Sequence, residues 1–191
     1  MESRQDKIRP SQLAIDVDFQ VGSAFDAEPC FKTEQYIQNG KVVRPENYGL
    51  YLRNPDTGLI LTAFIKNMPV EDYDGQSEIP LVIRTILPET KEGKSGIVYL
   101  EQRLEVGDTI CLKPDKKSNM MNMFITRFLS YDMFVRTHCK DGRKFYLNEP
   151  MAVIIERVHP NHKNANAMPY ERISQEQYEA NKFKIIRAKK D

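Results

Sequence analysis

In the stretch LAIDVDFQV, Leu13, Ile15, Val17, Phe19 and Val21 alternate with Ala14, Asp16, Asp18 and Gln20. A period of two over this length predicts a half-buried strand with its polar side to water. The same texture recurs along the chain in YGLYLR, LILTAFIK, PLVIRTIL, GIVYLEQR, TICLK, NMFITRFL, MFVRTHCK, KFYLN and MAVIIERV. About ten short strand candidates at near-regular spacing, with no helical period before residue 170, predict a mainly β fold: an antiparallel barrel or sandwich.

Turn chemistry supports the pattern. CFKTEQYIQ meets KVV across Asn39-Gly40, a pair suited to a two-residue type I′ hairpin turn. Pro45 ends the second strand of that hairpin. A second hairpin joins YGLYLR to LILTAFIK through NPDTG, and Asp141-Gly142 marks another turn. Near the end, Ser174 followed by Gln177 has capping-box form and predicts a short helix in SQEQYEAN. Either that helix continues through FKIIRAKK, or it stops near Asn181 and gives way to a short strand. The expected organisation is a polar arm over 1–10, a β domain over 11–158, and a linker with a basic helix-containing tail over 159–191. HPNHKNANAMPY is the linker candidate, and the tail either caps the domain or reaches outward.

Composition, at 40% hydrophobic and 29% charged residues, is that of a folded globular chain. The polar start MESRQDKIRPSQ lacks the apolar core of a secretory signal, no run reaches membrane-spanning length, and the three cysteines are odd in number and widely spaced. These features predict a cytoplasmic chain with reduced thiols and no membrane association. Charge is uneven: residues 1–100 hold 11 Lys+Arg against 15 Asp+Glu, and residues 101–191 hold 17 against 12. Such a split can mark a face for an anionic partner.

Motifs for chemistry fail on inspection. Gly93-Lys94-Ser95 resembles the end of a phosphate loop, but Pro88 stands where the first glycine is needed and a strand-like run follows. EDYDGQSE would need ligands at Val70 and Leu81 to be a calcium hand. Asp16 and Asp18 share a strand face and could serve as acid and base, but carboxylates on the wet face of an edge strand more commonly serve to discourage edge-to-edge pairing. His138, Cys139, His159 and His162 supply enough donors for zinc only if the strand end and the linker meet. No cofactor is expected.

The remaining signal lies over 113–144. Met123, Ile125, Arg127 and Leu129 point one way from their strand, and Asn122, Phe124, Thr126 and Phe128 the other. Phe124 and Phe128 are therefore exposed unless the C-terminal segment covers them. With Lys113, Lys116, Lys117, Met120, Met121, Met123, Arg127, Arg136, Arg143 and Lys144 they form a candidate partner-binding surface, suited to a protein partner or a second copy through its methionines, aromatics and arginines. The expected function is a non-catalytic interaction module, a subunit of a complex or of a larger assembly. Two other classes stand beside it: an OB-like binder of single-stranded nucleic acid, and a β-barrel enzyme with a flavin or metal pocket.

Overall fold

A computed structural model describes residues 9–120 and 122–189. The expected mainly β class is the one observed, with 46% strand and 8% helix: one sheet curls into a nearly closed barrel and the other into a half-barrel. The chain forms two compact units that divide between Gln102 and Arg103, inside the stretch read from sequence as one domain.

The first unit begins with a single helical turn, α1 (Pro10–Leu13), and contains β1 (Ile15–Asp16), β2 (Ala24–Ala27), β3 (Phe31–Thr33), β4 (Tyr36–Gln38), β5 (Lys41–Arg44), β6 (Asn47–Arg53), β7 (Ile60–Ile65), β8 (Ile79–Leu87) and β9 (Ile97–Gln102). Its main sheet runs β1-β6-β7-β9-β8-β2, with β3 also paired to β6. Residues 28–30 carry the chain from β2, beside β8, to β3, beside β6. So short a link between strands at opposite ends of the sheet order requires the sheet to curl back on itself. Alternating residues Leu50, Leu52, Leu61, Ala63, Ile65, Leu81, Ile83, Val98 and Leu100 fill the interior. The long opening strand expected over 13–21 is cut to two residues. Leu13 belongs to the helical turn, Ile15–Asp16 pair with the end of β6, and the chain then turns so that Gly22 N–H reaches Ile83. Val21 is exposed as a result.

The second unit contains β10 (Thr109–Leu112), β11 (Lys116–Lys117), β12 (Met123–Phe128), β13 (Tyr131–Arg136), β14 (Met151–Val158), β15 (Asn164–Arg172) and α2 (Gln175–Asn181), in the sheet order β10-β14-β15-β13-β12-β11. The stretch expected as a linker is here a turn and an interior strand. Ala165 and Ala167 point into the core, and their small side chains let β15 lie between β13 and β14. Pro169 is tolerated because it sits at a register shift, beyond the end of the β13 pairing, where no ladder N–H is needed. KFYLN, expected as a strand, forms only a bridge at Lys144 before Phe145 turns into the core.

The helix α2 has the expected cap: Ser174 Oγ accepts from Gln177 N–H at 3.0 Å, and the Gln177 side chain accepts from Ser174 N–H at 2.9 Å. It stops at Asn181, and the tail then docks. Ile186 exchanges two backbone hydrogen bonds with Thr109, Ile185 packs on the core, and Arg187 Nη1 donates to Asp108 Oδ2 at 2.5 Å and to the Arg103 carbonyl at 2.6 Å. The tail is thus a cap on its own unit. Asp108 is only 1% exposed, so removing its cationic partner leaves a buried carboxylate under-compensated. Arg187→Ala is expected to destabilise the second unit by about 2–4 kcal/mol in urea unfolding; a change within about 0.5 kcal/mol, the range of an ordinary surface substitution, would contradict the cap.

Candidate functional site

The structure breaks up the surface expected over 113–144. Phe124 and Phe128, each 3% exposed, face Val135 and Tyr131 across the ladder and belong to the core of the second unit. They are covered by their own half-barrel, which removes both aromatics from any docking surface. Met123, Arg127 and Arg136 do share the outer face, where Met123 lies opposite Arg136 and Arg127 opposite Asp132. The arginines, however, are engaged within the chain. Arg127 pairs with Asp132 at 3.6 Å, Arg136 with Glu156 at 2.8 Å, and Arg143 with Asp141 at 2.8 Å. Lys113 Nζ donates to Gln175 Oε1 at 2.9 Å. Lys116 and Lys117 form the short edge strand, a placement that blunts strand-to-strand aggregation. Met120 is exposed in a loop, Lys144 is exposed at its bridge to His138, and Met121 lies outside the described residues.

The metal candidates do not converge. No group of three His, Cys, Asp or Glu able to hold an ion occurs among the described residues. His138 Nδ1 is 2.8 Å from Thr137 Oγ1, and His159 and His162 shape the turn before β15. Cys139 is buried, and its thiol donates to Asp141. That hydrogen bond, with those from Arg143, holds the Asp141 carboxyl below its ordinary range. Its contribution to stability is therefore present above the ordinary carboxylate pKa and is lost as pH falls through the lowered one. Asp16 and Asp18 are both exposed, and Asp16 pairs with Arg53 at 3.4 Å.

A different site appears on the first unit. Phe31, Gly49, Phe64 and Tyr99 stand directly opposite one another across β3, β6, β7 and β9. Gly49 carries no side chain, and the Phe31 ring fills the vacancy: a Cβ at position 49 would lie 2.3 Å from Phe31 Cζ and 2.8 Å from the Ala63 carbonyl oxygen. Phe31 meets Phe64 edge-on at 6.0 Å, and Phe64 meets Tyr99 at 6.4 Å. Lys66 Nζ closes the row, 3.7 Å from the Tyr99 centroid.

Immediately after β3 the chain leaves the sheet. β4 and β5 pair only with each other, through the expected Asn39-Gly40 turn with φ of 51° and 71°. The base of this hairpin is pinned where Asn47 N–H donates to Thr33 Oγ1 at 3.0 Å. All seven strand residues are exposed, including Tyr36, Ile37, Val42 and Val43 at 48–57%. Ile37 and Val42 face each other directly. Tyr36, Val43 and Arg44 line a groove of about 780 Å³ whose other wall includes Phe64, Lys66 and Tyr99. Sequence reasoning found the hairpin but not its isolation. The signal available was apolar residues at both parities of a hairpin with seven strand residues, too small to bury either face.

No helix among the described residues is long and apolar enough to cross a membrane. Set against protein-family models, curated proteins and solved structures, the chain matches none, and its functional reading rests on geometry. The glycine contact supplies a direct check of that geometry. Gly49→Ala should cost about 1–3 kcal/mol, typical of overpacking against backbone and ring, and should loosen β3. An unchanged unfolding midpoint would show that Phe31 does not depend on the vacancy.

Proposed function

We infer that the protein is a non-catalytic interaction module that binds another protein chain, a partner or a second copy of itself, through the β4–β5 hairpin of its first unit. The observation that carries this reading is the exposure of four large apolar side chains on one isolated hairpin. A lone two-stranded hairpin is at best marginally stable in water. Exposed contiguous apolar surface of this kind marks contact sites, whereas single exposed hydrophobics need no explanation. The reading keeps the interaction function expected from sequence and moves its surface from residues 113–144 to residues 36–44.

The nucleic-acid alternative is weaker on this geometry. Arg127, Arg136 and Arg143 are paired with carboxylates, and the buried Phe124 and Phe128 offer no base a stacking face. The first unit, which carries the hairpin and its groove, has 11 Lys+Arg against 16 Asp+Glu, a net charge of −5 that repels a polyanion.

A photoreactive phenylalanine analogue at Ile37, compared with one at the exposed Lys91 in the β8–β9 turn, tests the assignment in cells that make the protein. The expected result is an adduct at position 37 that resists nuclease and disappears with protease, with none at position 91. Equal adducts at both positions, or a nuclease-sensitive adduct at position 37, would overturn it.

A further inference from the structure

We propose that the groove between the β4–β5 hairpin and the outer wall of the first unit is a binding site for an extended peptide segment carrying carboxylates beside apolar side chains. This rests on the protein-binding reading above and specifies the chemistry of the bound chain. Three observations point to it.

The first is charge. Arg44 and Lys66 line the groove and no carboxylate does among the described residues, within a unit whose net charge is −5. The neighbouring Glu34 and Glu46 lie outside the lining. A local pair of cations against an acidic background recruits an anionic group while the surrounding field disfavours a polyanion.

The second is the state of the rings. Lys66 already sits over Tyr99 at 3.7 Å and Arg44 over Tyr36 at 5.8 Å, while Phe31 and Phe64 meet at 87°. Cations occupy ring faces that a stacking base would need, and the edge-on pair presents no flat platform. The same cations are placed to meet a carboxylate, with the ring edges and Val43 left for apolar side chains.

The third is the backbone. Each strand of the hairpin has a partner on one side only, so an extended segment can complete its hydrogen bonds by strand addition. Lys41 and Arg44 bracket β5 and oppose a strand bearing cations while favouring one bearing carboxylates. Asn47 and Asn67 add amide groups along the lining.

The test pans a random dodecapeptide display library on the immobilised full-length protein and, in parallel, on the double variant Arg44→Glu/Lys66→Glu. The expected outcome is enrichment of sequences with Asp or Glu next to aromatic or aliphatic residues, with binding of the selected peptides about tenfold or more weaker on the variant. Circular dichroism of the variant should be unchanged, since both side chains are at the surface. Apolar peptides selected without an acidic bias, and bound equally by the variant, would overturn the proposed chemistry while leaving a protein-binding hairpin. No enrichment on either protein would overturn the site and count against the protein-binding reading itself. Displacement of the selected peptide by a thymidine pentadecamer binding more tightly would assign the groove to single-stranded nucleic acid and also overturn the proposal.

Discussion

Gly49 is the position on which the hairpin side of the first unit depends. Because it has no side chain, Phe31 can lie across β6, and because Phe31 lies there, β3 is held at the sheet edge in register with residues 47–49. The hairpin leaves from the end of that short strand, so its position beside the Phe64–Tyr99 wall follows from one missing side chain on the neighbouring strand β6. The hydrogen bond from Asn47 N–H to Thr33 Oγ1 fixes the hairpin base without restricting its tip.

The two units treat their exposed backbone differently. In the second, the outermost strand is two lysines long, and the tail pairs Ile186 with Thr109 at the other side of the sheet. Its Arg103, Arg127, Arg136, Arg143, Arg172 and Arg187 are held by neighbouring carboxylates. In the first, the curled sheet brings its edge strands towards each other, but β4 and β5 stand outside it with apolar groups on both faces. Charged, short edges discourage association, whereas an uncovered apolar hairpin invites it. The charge division has the same boundary: residues 1–102 carry a net −5 and residues 103–191, with 17 Lys+Arg against 11 Asp+Glu, a net +6.

Much of the fold was legible in the sequence because it rests on local rules. Alternation located β6 to β10 and β12 to β14, the Asn39-Gly40 pair gave the β4–β5 turn, and Ser174 with Gln177 gave the start of α2. What escaped was set by tertiary context. Asn164–Arg172 has the composition of a loop, yet its alanines suit a crowded interior position and its proline falls where the ladder is already interrupted. LAIDVDFQV has the pattern of a long strand, but its pairing partner ends at Arg53. Phe124 and Phe128 were expected at the surface for a related reason. Period two separated Phe124 and Phe128 from Arg127 correctly, and it could not say which of two apolar faces would be inside. On Tyr51, Phe64 and Tyr99 the same ambiguity hid an outward row of aromatics opposite Leu50, Leu52, Ala63, Ile65, Val98 and Leu100.

The central claim is that the bound chain contacts the hairpin and its groove. Amide hydrogen exchange on the full-length protein, alone and in complex with the chain trapped at position 37, tests it most directly. In the free protein, residues 36–44 should exchange fast while β6, β7 and β9 are protected; in the complex, protection should rise over 36–44 and 64–67 and stay unchanged over 113–144. Protection gained over 113–144 with none at the hairpin would contradict the account and return the interface to the second unit.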